Sequence, residues 1–181
     1  MYSVEHTLHT EGKIIIIRRA QEADAERILE FAHVIFNAYD QVLTAPEEFN
    51  NTPEQERAWI NATATHPSAI ILVAICDNQV VGLLDLATKP KKKISHTGEF
   101  GISVHPDFIG KGIGSKMIEV MIDWARHTGL VEKVFLKVFA TNLKAIALYK
   151  KLGFTEECRE IKAVKQSDGS YTDIIQMYVL F

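Results

Sequence analysis

The amino-acid sequence predicts an α/β (α+β) fold: a mixed, mostly antiparallel sheet of about seven strands with a parallel central pair, and about four helices. Three observations carry this. Two pairs of strand-length runs flank turn signals at 77–79 and 167–169, which makes each pair an antiparallel hairpin. Residues 97–139 read as strand, glycine-rich turn, amphipathic helix and strand, and a connection of that length makes its two strands parallel with a right-handed crossover. The remaining apolar residues recur at helical spacing between recognisable start and stop signals.

Taken in order, residues 1–12 are polar and unpatterned and read as a flexible N-terminal leader, and 13–181 as a single domain. The run Ile14 to Ile17 reads as a buried strand closed by a basic pair. Ala25, Ile28, Leu29, Ala32, Ile35 and Phe36 then fall at helical spacing, with Asp24 placed to cap the helix. Residues 37–51 contain Pro46 and no period, so they form a loop. Thr52, Pro53 and Gln55 open a second helix with a capping box, and His66-Pro67 ends it because the residue before proline avoids the helical region. Strands follow at 69–76, 80–87 and 97–104, the last entered through the lysine-rich turn 89–93, which is read as solvated. A long helix spans 112–128 with Gly129 as its stop, and a strand spans 134–139. A short helix then runs from Asn142 to Gly153, and a closing hairpin at 154–165 and 171–180 turns at Ser167-Asp168-Gly169.

At 181 residues, with 47% apolar and 24% charged residues, the chain is ordinary for a globular protein. A formal net charge of −3 argues against a nucleic-acid binder with a broad basic face. No apolar run approaches the ~18–20 residues that cross a bilayer, and Glu5 and Glu11 interrupt anything resembling a signal peptide. The two cysteines, Cys76 and Cys158, form no disulfide framework, so a cytoplasmic location is expected. Both read as inert. The seven histidines show no metal-ligand spacing, and no metal is expected.

The chemistry concentrates at Ile109-Gly110-Lys111-Gly112-Ile113-Gly114-Ser115. A glycine-rich turn running straight into a helix presents unpaired backbone N–H groups backed by the positive end of the helix dipole, a site suited to phosphate. The spacing is not that of a P-loop, because Lys116 follows Ser115 where the Gly-Lys-Ser/Thr order would be needed. Nor is it the dinucleotide fingerprint, since Ser115 occupies the third glycine's place. By itself the turn could equally be a packing feature.

Its surroundings narrow the reading. Val104-His105-Pro106 ends the strand, Gly110-Lys111-Gly112-Ile113-Gly114 opens the helix, and Asn142, Ala145 and the run Tyr149-Lys150-Lys151-Leu152-Gly153-Phe154 follow some thirty residues later. Together these resemble the acetyl-CoA-binding core of the GNAT superfamily of N-acetyltransferases. The likeness extends over nearly the whole chain from Lys13, through the ending Asp168-Gly169-Ser170-Tyr171-Thr172-Asp173 and Met177. It is nearest to small bacterial enzymes that acetylate amino acids, with polyamine and ribosomal-protein acetyltransferases further off. The family's turn usually starts with Arg or Gln. Ile109 stands there in this chain, so a polar side chain able to reach a phosphate is replaced while the backbone N–H groups remain.

The resemblance implies an acetyl-CoA-dependent N-acetyltransferase that passes the acetyl group directly to a primary amine of a small molecule, an amino acid first, with a protein N-terminus or a polyamine as alternatives. A non-catalytic CoA-binding regulatory module is the alternative of another class. It also implies that residues 109–115 hold the pyrophosphate, that the backbone at Ile102 and Val104 pairs with the pantetheine arm, and that Asn142 and Ala145 line that arm. Neither nucleic acid nor membrane is implied as a partner, and a homodimer is compatible with it.

Two side chains are candidates for the chemistry. Tyr149 falls seven residues after Asn142, on roughly the same helical face. In the family a tyrosine here stands near the thioester sulfur as general acid; a phenol with pKa near ~10 can donate to a thiolate. The competing reading is an aromatic packed beside Leu152 and Phe154. Glu99 is the candidate base, on one strand face with Gly101 and Ser103, while Phe100, Ile102 and Val104 take the other. A salt bridge at the rim is the alternative for it. Asn142 caps the short helix, contacts the arm, or does both. For the acceptor, Asp40, Glu47 and Glu48 would suit a polyamine, and Phe36, Tyr39 and Phe49 an apolar amino acid.

Overall fold

The computed structural model describes residues 4–181. In chain order these form β1 (His6–Thr10), β2 (Lys13–Arg19), α1 (Ala25–Ala38), α2 (Pro53–Thr65), β3 (Ile70–Cys76), β4 (Gln79–Thr88) and β5 (Thr97–Val104), then α3 (Ile113–Thr128), β6 (Lys133–Phe139), α4 (Leu143–Lys151), β7 (Thr155–Lys165) and β8 (Tyr171–Leu180). The strands make one sheet in the order β1-β2-β3-β4-β5-β6-β8-β7. The pairings are antiparallel except that of β5 with β6, the parallel pair expected from the strand–helix–strand unit.

The sheet has eight strands among the described residues, against about seven expected, and the eighth comes from the supposed leader. Residues 1–3 of that leader lie outside the described residues, but His6–Thr10 pairs along its whole length with β2, Thr10 opposite Lys13. Leu8 packs against the main core. Glu11 and Gly12 both take positive φ (46° and 76°), the geometry of a two-residue hairpin turn. Pairing with β1 also corrects the reading of β2 as buried on both faces. Ile15 and Ile17 are fully buried, whereas Ile14 and Ile16 are exposed.

Asp24, expected to cap α1, makes no capping bond to it. Its fully buried carboxylate accepts from Arg18 at 2.6 Å and Arg27 at 2.8 Å, and from the Gln21 N–H at 2.8 Å. Burial alone would raise its pKa; the bonds from Arg18 and Gln21 and the charges of Arg18 and Arg27 outweigh that and hold it below the usual value. The capping box of α2 forms as read, Thr52 accepting from the Gln55 N–H and Gln55 from the Thr52 N–H.

Alternation along the strands sends residues to two layers. Leu72, Leu84, Leu86, Leu136 and Met177 pack with Met117 and Met121 of α3 and Tyr149 of α4. On the opposite face, Ile71 and Val73 pack under Ile28, Phe31 and Ile35 of α1 and Ile60 of α2. Gly82 lets α3 lie close on the sheet, because a Cβ there would stand 2.8 Å from the Met117 sulfur. The α1–α2 layer reaches β3 and β4 and stops, since its buried cluster includes no residue of β5 to β8. The face of β5, β6 and β8 beyond it is where the chemistry-bearing residues gather.

Candidate active site

β5 and β6 are paired only at Thr97 with Lys133, Gly98 with Val134 and Glu99 with Phe135. Past Glu99 the two strands part, β5 staying with β4 through Val104 and β6 with β8 through Phe139. The split opens a cleft of about 370 Å³ between Phe100–Ser103 and Leu136–Phe139, with Tyr149 and Asn142 on its wall. An adjoining cavity of about 380 Å³ carries the groove on past Val104, Ile109, Asn142 and Ala145. The two share Gln41, Val42, Ile102, Ser103 and Asn142.

The backbone beside this groove is set by the ladder. The His105 N–H bonds to Val81 O at 2.9 Å, so in the alternation of an antiparallel pair the polar groups of Ile102 and Val104 point away from β4 and into the split. One of them is already used: the Tyr39 hydroxyl donates to Val104 O at 3.0 Å. That contact comes from the segment after α1, read as a loop whose residues, Tyr39 among them, would meet the acceptor. Its residues Gln41 and Val42 form the opposite wall of the groove.

Gly110 and Gly112 adopt φ of 80° and 81°, and a Cβ at either would meet open space rather than protein. The left-handed conformation, which side chains other than glycine's disfavour, aims the chain so that Gly112 directly precedes α3. Within α3 the first returning bond is Lys116 N–H to Gly112 O, which leaves the N–H groups of Ile113, Gly114 and Ser115 to an external acceptor. Ile113 itself is buried, so it contributes backbone only. An open glycine turn, a free helix N-terminus and a groove leading from them to the split fit the pyrophosphate and pantetheine of acetyl-CoA. Lys111 points elsewhere: its ammonium pairs with Glu11 at 3.0 Å and lies 5.1 Å from the Phe108 ring centroid. The partner sits in the β1–β2 turn, which is why the sequence pattern did not reveal it. Ile109 is 53% exposed and lines the groove. Ile109→Arg is therefore expected to leave acetyl-CoA affinity equal or tighter by calorimetry; a large loss would place the phosphates elsewhere.

Asn142 accepts from the Ala145 N–H at 3.2 Å and so caps α4, while its side chain also faces both cavities. Tyr149 is packed edge-on against Phe100 and Phe154, with centroids 6.2 and 6.0 Å away, and its ring lines the split. Burial pushes its phenol up to about 12. Both the packing and the exposure to the cleft are thus present in one residue.

Glu99 stands where the strands part, its carboxylate 3.2 Å from the Lys89 ammonium. Lys89 was assigned to a solvated turn; it does stand just beyond the end of β4 with its side chain half-exposed, and from there its ammonium also reaches the rim of the site. A third cavity of about 420 Å³ holds Lys89 and Glu99 together with Asp85, and shares Leu43, Phe100, Gly101 and Lys137 with the main cleft. Asp85 was not picked out from the sequence. It lies opposite Gly101 in the β4–β5 ladder, and a period-2 reading of β4 places it on the face of Glu99.

Cys76 is buried and its thiol is pushed up, first by burial and then by Asp77, which suits an inert residue. Among the described residues no group of three or more His, Cys, Asp or Glu side chains is placed to hold a metal ion, and no helix is long and apolar enough to cross a membrane.

Residues 20–154 match the acetyltransferase (GNAT) family. The chain belongs to this family and is an acetyl-CoA-dependent N-acetyltransferase. It is 31% identical over 163 residues to the L-amino acid N-acetyltransferase of Escherichia coli K12, covering 90% of this chain and 96% of that one. It is 26% identical over 134 residues to the spermidine N(1)-acetyltransferase of Vibrio cholerae, covering 74% and 76%. Among solved structures, a GNAT-family acetyltransferase from Streptococcus pneumoniae superposes with a TM-score of 0.90 at 24% identity, over 92% of this chain and 99% of that one. An acetyltransferase from Salmonella typhimurium, whose structure holds its cofactor acetyl-CoA, superposes with a TM-score of 0.81 at 23% identity, over 92% and 93%.

Proposed function

We propose that this enzyme acetylates the amino group of a free amino acid by direct transfer within the cleft between β5 and β6. One observation carries the reading: Tyr149 and a carboxylate-bearing wall that includes Glu99 line adjoining cavities whose far end reaches Ile109, the residue before the open glycine turn. Acetyl-CoA supplies the acetyl group as a thioester. Residues 110–115 hold its phosphates through backbone N–H groups, and the open edge at Ile102 and Val104 aligns its arm along the split. Tyr149, a phenol protonated at neutral pH and pushed further that way by burial, hands a proton to the departing sulfur. The wall at Glu99 receives the acceptor's ammonium.

The acceptor is argued from the same wall and from the relatives. Lys89 and Lys137 stand there among Asp85 and Glu99, so both signs of charge are present to meet a zwitterion. Of the acidic residues that would have suited a polyamine, Glu48 turns back to the Ala45 N–H at 2.9 Å. Phe36 and Phe49 pack against each other with tilted rings, centroids 4.8 Å apart, and of the aromatic set Tyr39 reaches the groove. The Escherichia coli relative, covered over 96% of its own length, is named for L-amino acids.

The deciding measurement is free-thiol release with free amino acids, spermidine and short peptides under identical conditions. An amino acid is expected to give the highest kcat/KM. A preference for spermidine of tenfold or more, about 1.4 kcal/mol in the transition state, would overturn the choice, and so would turnover confined to peptides.

A further inference from the structure

The wall that receives the amine holds two carboxylates, and only one of them has a cationic partner. Glu99 is paired with Lys89 at 3.2 Å, and Lys137, the other ammonium on this wall, is taken by Glu160 at 2.5 Å from β7. Asp85 makes no ion pair and no hydrogen bond with another residue's side chain among the described residues; its carboxylate, crowded by protein, accepts from its own backbone N–H, and the residue lines the third cavity. A carboxylate so far withdrawn from water, on a half-buried residue and without a counter-ion, is costly unless something supplies one. The place left for a cation on this wall is beside Asp85.

Access to Asp85 depends on Gly101. The two residues are opposite each other in the ladder, and a Cβ on Gly101 would lie 3.2 Å from Asp85 Oδ1. Gly101 is also common to the third cavity and to the cleft where Tyr149 stands. A bare position at this point is a passage between the sulfur side of the cleft and the carboxylate.

We infer that Asp85 is the catalytic base: it pairs with the acceptor's ammonium through the opening at Gly101 and takes its first proton, while Glu99 stands behind it as the exposed neighbour through which that proton leaves to water. The inference rests on the amine-acetylating reading above. The balance is as follows. The ammonium gives one proton to Asp85 and becomes a neutral amine. Its nitrogen forms a bond to the thioester carbon as the carbon–sulfur bond breaks. The nitrogen's second proton reaches the thiolate by way of Tyr149, which ends as it began, and Asp85 releases its proton to solvent. The products are the N-acetyl compound, free thiol and one proton.

The surrounding charges bear on when Asp85 can act. Burial raises its pKa to about 6, the nearby Glu99 charge adding to the rise. Lys89 and Lys137, each already paired, are the other charged groups on this wall. A base of that pKa is ionised at neutral pH, and the rate should fall as pH drops below about 6.

The test compares the wild type, Asp85→Asn and Gly101→Ala with the preferred amine across pH, with acetyl-CoA affinity measured by calorimetry on each. Asp85→Asn is expected to lose tenfold or more in kcat at pH 7, keep its acetyl-CoA affinity, lack the acid limb, and close the gap to wild type as the amine deprotonates unaided at high pH. Gly101→Ala, whose methyl would obstruct the approach, is expected to raise KM for the amine with acetyl-CoA affinity unchanged. An active wild type with Asp85→Asn at full rate overturns this inference alone. Loss of acetyl-CoA binding in Asp85→Asn makes the residue structural and overturns it too. A wild type that binds acetyl-CoA but acetylates no amine overturns both this inference and the reading beneath it.

Discussion

Gly112→Asp is expected to abolish acetyl-CoA binding, with a loss of at least about 100-fold, or ~2.7 kcal/mol. Two effects add. Gly112 sits at φ 81°, where a residue with a Cβ costs about 1–2 kcal/mol, so the turn itself would resist the substitution. The new side chain would also extend into the open space at the mouth of α3, where no protein atom lies within 4 Å of the Cβ position. There it would set a negative charge against phosphates that the free N–H groups and helix dipole otherwise attract. Gly112→Asn separates the two, being of the same shape, tolerant of left-handed backbone and uncharged. It should fall between wild type and Asp. Calorimetry on variants shown to be folded by circular dichroism reads the result, and unchanged affinity in folded Gly112→Asp would remove the phosphates from this turn.

Tyr149→Phe is expected to lower kcat by about 100-fold or more while acetyl-CoA affinity stays within about twofold. The substitution deletes a single hydroxyl and preserves the ring contacts with Phe100 and Phe154, so the core under α4 is kept. No protein partner for that hydroxyl is found among the described residues, so its loss leaves no buried group newly orphaned. What disappears is the proton donor facing the split, and the departing sulfur must then leave as an unprotonated thiolate. A packing role predicts the opposite pattern, namely lower thermal stability at an unchanged rate. Steady-state turnover paired with a melting curve distinguishes the two, and full-rate Tyr149→Phe would reduce the residue to packing.

Much of this protein is determined locally, by signals that lie within a few residues of each other. Thr52, Pro53 and Gln55 start a helix because their own side chains satisfy its free N–H groups. Gly110 and Gly112 turn the chain because they lack a Cβ, and period-2 alternation separates Glu99 from Phe100. The parallel pair likewise follows from the length of its connection. Where such short-range rules suffice, the elements, the glycine turn before α3 and the position of Tyr149 beyond Asn142 could be read directly.

Tertiary structure alone decided matters that depend on partners remote in the chain. Asp24 abandons its cap because Arg18 and Arg27 converge on it, and His6–Thr10 becomes a strand because β2 offers an edge. Lys111 turns from the groove to Glu11, and Tyr39 reaches 65 residues along the chain to Val104 O. Asp85 and Glu99 are fourteen positions apart and ordinary in sequence. They share a wall because β4 and β5 pair in one register, and Asp85 is left without a counter-ion because the nearby lysines are held by Glu99 and by Glu160 of another strand. The physical reason is the same in each case: the charge a group feels is set by what packing brings within a few ångströms, and a linear pattern carries no record of that distance.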